Sequence, residues 1–325
     1  MERFWLKNYP AGVPADIDPS QYRSIPELME EAFRKHSARD AYVSMGRAMT
    51  FREVDELSRH FGAWLQSRGL APGARVALMM PNVLQYPVAI AGVLRAGYVV
   101  VNVNPLYTAR ELAHQLNDSG AEAIVILENF AATLEKVVAG SKVKHVVVAS
   151  MGDLLGAVKG TIVNFVVRNL KKMVPAYTLD DAVRFGTVIS EGSRMQLEPS
   201  TAGHDDPAFL QYTGGTTGVS KGATLVHRNV IANVLQSEAW EQPALHNPRK
   251  PPPPEQSTVV CALPLYHIFA LTVCCLLGMR TGAKNVLIPN PRDVAAVAKE
   301  LKPHKFTHFP AVNTLYNLLA DNDDF

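Results

Sequence analysis

At 325 residues the chain has room for two α/β units, and 47% apolar with 19% charged residues excludes an extensively disordered polymer. A formal net charge of +2, from 32 basic and 30 acidic residues, gives no electrostatic case for nucleic acid as a partner. The three cysteines, Cys261, Cys274 and Cys275, offer no Cys-x-x-Cys spacing, so neither a disulfide framework nor a zinc site is expected, and a reducing cytoplasm is the simplest home.

The N-terminal stretch Met1 to Lys7 lacks a long apolar core and does not read as a signal peptide. Helical spacing is expected over 26–36 and 51–68, the second opened by Thr50 as N-cap with Glu53 as its capping-box partner. An apolar strand is expected at 75–80, ended by Pro81-Asn82, then a helix at 83–95 stopped by Gly97. A β-branched strand follows at 98–103, a helix at 108–118 closed near Gly120, and a strand at 123–127. A helix at 130–139 and a strand at 145–149 complete this first run. Alternating helices and continuously apolar strands predict two βαβ subdomains of an α/β fold, with mostly parallel sheets covered by helices.

Residues 151–200 break the rhythm. Within them 159–173 is basic and amphipathic. Ile162, Phe165, Val166, Leu170 and Met173 share a helical face, with charge from Lys159, Arg168, Lys171 and Lys172. One reading is peripheral contact with the inner face of an anionic membrane. The other, adopted as the expectation, packs the apolar face on the helix's own domain.

A second α/β unit is expected from about residue 205, giving subdomains of 1–200 and 201–325. It contains a strand at 207–212, a helix near 229–240, and a strand at 258–262. A helix from about 269, a strand at 285–288, a helix at 294–301, a strand at 305–308 and a helix at 312–319 follow. The proline run at 247–254 is expected to be an exposed polyproline loop. Val259 to Met279 carries no Asp, Glu, Lys or Arg and approaches the length of a membrane span. Pro264 and His267 interrupt it, so a buried strand, a turn and a buried helix are expected instead.

The chemistry concentrates after the strand at 207–212. From Thr213 to Gly222, ten positions hold four glycines, four Ser or Thr hydroxyls and Lys221. Glycine brings backbone N–H groups close to an anion, hydroxyls add donors, and the lysine adds a full charge, a combination suited to a polyphosphate. The loop is not Gly-x-x-x-x-Gly-Lys-Ser/Thr, because Val219 and Ser220 separate Gly218 from Lys221, and it is not Gly-x-Gly-x-x-Gly.

The stretch Tyr212-Thr213-Gly214-Gly215-Thr216-Thr217-Gly218-Val219-Ser220-Lys221-Gly222 resembles the phosphate-binding signature of the adenylate-forming enzymes. Met49-Thr50-Phe51-Arg52-Glu53-Val54, the run from Leu94 to Pro105, and Leu263-Pro264-Leu265-Tyr266-His267 resemble three further motifs of that family, in the family's order. The wording is most similar to bacterial long-chain fatty acid–CoA ligases, in 77–82, 102–108, 115–120 and 264–271. The resemblance implies a two-step reaction: a fatty carboxylate and ATP form an acyl-adenylate, and the thiol of coenzyme A then displaces AMP. It implies Thr213, Lys221 and His267 as catalytic residues. Tyr212, Thr213, Gly214, Gly215, Thr216, Thr217, Gly218 and Lys221 are implied to bind ATP, and Thr213 to stand near Mg²⁺. His267 is expected to line the acyl and pantetheine channels, while His227 and Arg228 cap the following helix. Leu263, Phe269, Leu271, Val273 and Leu276 are candidates for an acyl tunnel or for core packing. The family's later motifs and small C-terminal domain do not occur in this sequence. The expectation is therefore an N-terminal portion, inactive alone, of a homodimeric enzyme. Alternatives are a non-catalytic nucleotide- or acyl-binding module and a ligase for medium-chain or aryl acids.

Overall fold

The computed structural model describes residues 3–213, 219–247, 252–322 and 325. Eleven strands are present among them: β1 (Asp40–Ser44), β2 (Arg47–Thr50), β3 (Arg75–Met79), β4 (Val99–Asn102), β5 (Ala123–Leu127), β6 (His145–Ala149), β7 (Val183–Arg184), β8 (Pro207–Thr213), β9 (Lys221–Val226), β10 (Thr258–Cys261) and β11 (Lys284–Leu287). They form a seven-stranded sheet of order β7-β6-β5-β3-β4-β8-β9 and a four-stranded sheet of order β10-β11-β1-β2. Pairing is parallel except for the two hairpins, β1–β2 and β8–β9.

The α/β class with parallel sheets under helices is as the apolar strand runs require. Side chains alternate across β3: Val76 and Leu78 enter one apolar cluster, Ala77 and Met79 another. Both faces of the large sheet are thus buried, which is why its strands read as unbroken apolar runs. The first cluster also takes in Tyr42, Val259, Cys261 and Leu287 of the small sheet, so the helices it contains lie between the two sheets. One of them, Gln85–Arg95, is buried at every residue. It approaches helix Phe51–Gln66 through Gly62 and Gly92, where a Cβ on Gly62 would lie 2.8 Å from the Gly92 carbonyl oxygen. A third cluster, with Val260 and Val286, covers the outer face of the small sheet under helices Val294–Leu301 and Asn313–Ala320.

Several expectations change. Strands β1, β2, β7 and β9 were not anticipated, and the strand expected at 305–308 reduces to a single bridge between Val259 and His308. Each sheet draws strands from both sides of residue 200: β8 and β9 extend the large sheet beside β4, while β1 pairs with β11. The helix expected at 130–139 is three short turns, Glu128–Phe130, Ala131–Glu135 and Val138–Gly140. Part of the expected polyproline loop lies outside the described residues. Val259–Met279 divides into β10, a turn and a helix with one π-helical stretch, Leu271–Leu276. Among the described residues no helix is long and apolar enough to cross a membrane.

Candidate active site

The parallel strands β3, β4, β5 and β8 share a direction, so their carboxyl ends lie along one edge. Loops leaving such an edge form the usual crevice of open α/β sheets. Here that edge carries Pro81-Asn82 after β3, Asn104-Pro105 after β4 and the glycine-rich loop after β8. The turn after β10, Ala262 to His267, joins them.

Asn82 fastens the β10 turn to the large sheet. Its buried amide donates to the carbonyls of Cys261 at 2.9 Å and Leu263 at 2.8 Å, and its Oδ1 accepts from the Leu265 N–H at 2.8 Å. A second polar chain runs beneath the loops. The Tyr86 hydroxyl donates to Asn102 Oδ1 at 2.8 Å, and Asn102 Nδ2 donates to Gln211 Oε1 at 3.0 Å. Gln211 Nε2 then donates to the Tyr266 carbonyl at 2.7 Å, and Gln115 donates to the Asn102 carbonyl at 2.8 Å. Tyr86, Asn102, Gln115 and Gln211 are buried, where each amide left unpaired would cost free energy. The network therefore sets the strand entering the glycine-rich loop against the turn that carries His267.

The loop itself is the connection of a hairpin. Thr213 and Lys221 are direct partners across β8 and β9, and both are exposed at its neck. Gly214, Gly215, Thr216, Thr217 and Gly218, expected to bind phosphate, lie outside the described residues. Helix Ala109–Ser119 braces both arms of the hairpin. Its Asp118 accepts from the Tyr212 hydroxyl at 2.5 Å, and its His114 Nε2 meets the Ser220 carbonyl at 2.9 Å. Burial, then the Asp118 carboxylate, holds the Tyr212 hydroxyl well above its ordinary pKa, so it stays a donor. Opposite Tyr212 stands Gly222, and a Cβ there would lie 2.8 Å and 2.9 Å from ring carbons of Tyr212.

His267 is exposed and caps the short helical turn Ile268–Ala270, its Nδ1 accepting from the Phe269 N–H at 3.3 Å. Tyr266 beside it is half-buried, and burial raises its hydroxyl pKa. His227 opens helix His227–Leu245 without capping it by side chain. Instead its buried Nδ1 accepts from the Ile25 N–H at 3.1 Å, and burial pulls its pKa down to about 4. Arg228 forms an ion pair with Asp205 at 2.6 Å.

A cleft of about 490 Å³ opens along this edge, lined among others by Asn82, Pro105, Phe130, Met151, Pro264 and Tyr266. None of Leu263, Phe269, Leu271, Val273 and Leu276 lines it. Leu271 and Leu276 are fully buried in the core, which favours the packing reading for those two.

The sequence of residues 29–325 matches the model of the AMP-binding enzyme family. The chain belongs to that family. Among its relatives, the long-chain-fatty-acid–CoA ligase of Yersinia pestis is 55% identical over 326 residues, covering 100% of this chain and 57% of the relative. The ligase of that description from Haemophilus influenzae (strain ATCC 51907 / DSM 11121 / KW20 / Rd) is 51% identical with the same coverage. The chain thus spans 57% of the length of these relatives. The fold matches the crystal structure of a long-chain-fatty-acid-CoA ligase from Archaeoglobus fulgidus with a TM-score of 0.73 at 23% identity, over 96% of this chain and 56% of that one.

The bracing residues Asn82, Asn102, His114, Asp118 and Gln211 were not singled out as functional from sequence. The available signal was a polar residue closing an apolar strand run, as Asn102 closes Val99-Val100-Val101.

Proposed function

We propose that this chain is the nucleotide- and acyl-binding portion of a long-chain fatty acid–CoA ligase. The observation that carries the proposal is the hairpin neck, where the Thr213 hydroxyl and the Lys221 ammonium flank the glycine-rich loop as direct partners. The names and identities of the relatives supply the substrate class.

In the first step a carboxylate oxygen attacks the α-phosphorus of ATP, and the bond to the β-phosphate breaks to release pyrophosphate. Charge builds on the phosphate oxygens, which fixed donors stabilise without reorganisation. Residues 213–218 supply hydroxyl and backbone N–H donors, and Lys221 a point charge toward the leaving pyrophosphate. In the second step the sulfur of coenzyme A attacks the acyl carbon and AMP leaves. His267 and the cleft beside Tyr266 border the reacting carboxylate. Among the described residues no group of three His, Cys, Asp or Glu is placed to hold a metal. The exposed Thr213 hydroxyl at the hairpin neck would suit Mg²⁺ held mainly by phosphate oxygens and water, the usual habit of this ion. Mg²⁺ neutralises phosphate charge when bound.

Peripheral membrane contact through the basic segment 159–173 and self-association belong to the same reading.

Calorimetric titration with MgATP, of this chain beside the Thr213→Ala/Lys221→Ala double variant, tests the site. Binding that the variant loses by tenfold or more is expected, about 1.4 kcal/mol per decade. Equal binding by both proteins would overturn the phosphate-site assignment. Adenylate formation compared across long-chain, medium-chain and aryl acids with a longer protein containing this chain tests the substrate class, and preference for an aryl acid would replace it.

A further inference from the structure

The segment from Leu154 to Leu179 contains Lys159, Arg168, Lys171 and Lys172 and no acidic side chain. Helix Ala157–Phe165, prolonged by the π-helical turn Val166–Leu170, is held down by one face only. Gly160 lies so close to Gly152 that a methyl group on either would collide with the other's carbonyl oxygen. Asn164 Oδ1 accepts from the Gly152 N–H at 2.8 Å, and Val167 is buried. Arg168 reaches inward to the buried Glu128, donating from Nε at 3.0 Å and from Nη2 at 2.8 Å, with Nη2 also on Ser150 Oγ at 2.8 Å.

Positions 160, 164, 167 and 168 therefore define the inner face, and the helical period turns the apolar stripe outward. Val158, Ile162, Phe165, Leu170 and Met173 are exposed by 76, 57, 55, 67 and 51%. This reverses the expectation that the stripe packs on its own domain. Lys171 and Lys172 are exposed at the C-terminal end of the stripe. Met173 also lines the cleft beside Tyr266, so the stripe is continuous with the mouth of the candidate site.

We infer that this face is a docking surface for an anionic lipid bilayer. It deepens the peripheral contact proposed above and does not depend on the ligase chemistry. The apolar stripe enters the acyl boundary while Lys171 and Lys172 meet headgroup phosphates, the division of labour of interfacial amphipathic helices. A second copy of the chain is a poorer occupant, because a two-fold contact on this stripe would set like cations against each other.

The test is flotation of the full chain with phosphatidylcholine vesicles, with and without phosphatidylglycerol. Binding to the phosphatidylglycerol vesicles that weakens with added salt is expected. Ile162→Glu/Phe165→Glu should lower the partition by about tenfold or more. Lys171→Glu/Lys172→Glu should remove the preference for the anionic lipid. All four side chains are exposed, so thermal unfolding and MgATP binding should match the wild type in both variants. Retained MgATP binding separates the outcome from that of the ligase reading. Equal partition of wild type and variants overturns the inference, as does the absence of wild-type binding to either vesicle. A lipid-free dimer that Ile162→Glu/Phe165→Glu converts to monomer would instead assign the face to a second copy.

Discussion

Gly222 is the residue whose absence of a side chain decides the most at the hairpin. It faces the ring of Tyr212, and the ring in turn places its hydroxyl on Asp118 at 2.5 Å. Alanine at 222 would force the ring aside and lengthen that hydrogen bond. Such overpacking costs about 1–3 kcal/mol. Because Tyr212 immediately precedes Thr213, the displacement reaches the glycine-rich loop. Gly222→Ala is expected to weaken MgATP binding by about tenfold, roughly 1.4 kcal/mol, and to lower the urea midpoint slightly. Titration and denaturation read the two effects separately. Unchanged affinity alongside an intact fold would remove Tyr212 from the positioning of the loop.

At the scale of elements, the turn between β10 and Ile268–Ala270 is held from another part of the chain. Asn82 supplies three hydrogen bonds to the stretch Cys261 to Leu265, and its own side chain is buried. Asn82→Ala would leave the Leu263 carbonyl and the Leu265 N–H without this partner, while the Cys261 carbonyl keeps the Ile288 N–H at 3.1 Å. The expected loss of stability is about 3 kcal/mol, from penalties of ~1–3 kcal/mol for each buried group left unpaired. Urea denaturation measures it, and a loss under about 1 kcal/mol would mean that water replaces the amide. This contact also marks the limit of what periodicity reveals. The buried strands β3, β4 and β5 and the helix after Thr50 announce themselves through apolar runs and the Thr50 capping box. The hairpin of β1 and β2 does not, because its turn rests on the positive φ of Met45 and Gly46 and its second strand, Arg47–Thr50, is only partly buried. Edge strand β9 was hidden for a related reason: its glycine and lysine read as loop, and Lys221, Ala223 and Thr224 stay exposed. The residues of the loop were legible from their chemistry. Their bracing by Asp118 and His114 was not, since those partners lie far away in sequence and no local pattern encodes them.

Across the whole molecule, stability rests on contacts between distant stretches of chain, because each sheet combines strands from both sides of residue 200. The bond from the Ile25 N–H to His227 Nδ1 is one such fastening, joining the starts of helices Ile25–His36 and His227–Leu245. It requires a neutral imidazole, since a protonated Nδ1 has no lone pair to offer. Burial lowers the His227 pKa from 6.5 to about 4, against an opposing pull from Asp206 and with a small push from His204. Between those two values the unfolded chain binds a proton that the folded chain refuses. Stability from this group is therefore complete above pH 6.5 and is lost as pH falls toward about 4. The full effect is of the order of 3 kcal/mol, at ~1.4 kcal/mol per unit of pKa. Burial shifts His36, His60, His145 and His304 in the same direction, so the wild-type slope has several sources. Comparison with His227→Asn isolates this one, because the amide oxygen can accept from Ile25 without titrating. Urea midpoints measured at neutral pH and near pH 4.5 should fall further for the wild type than for the variant. Equal falls would mean that protonated His227 finds another partner and that the two helix starts are fastened independently of it.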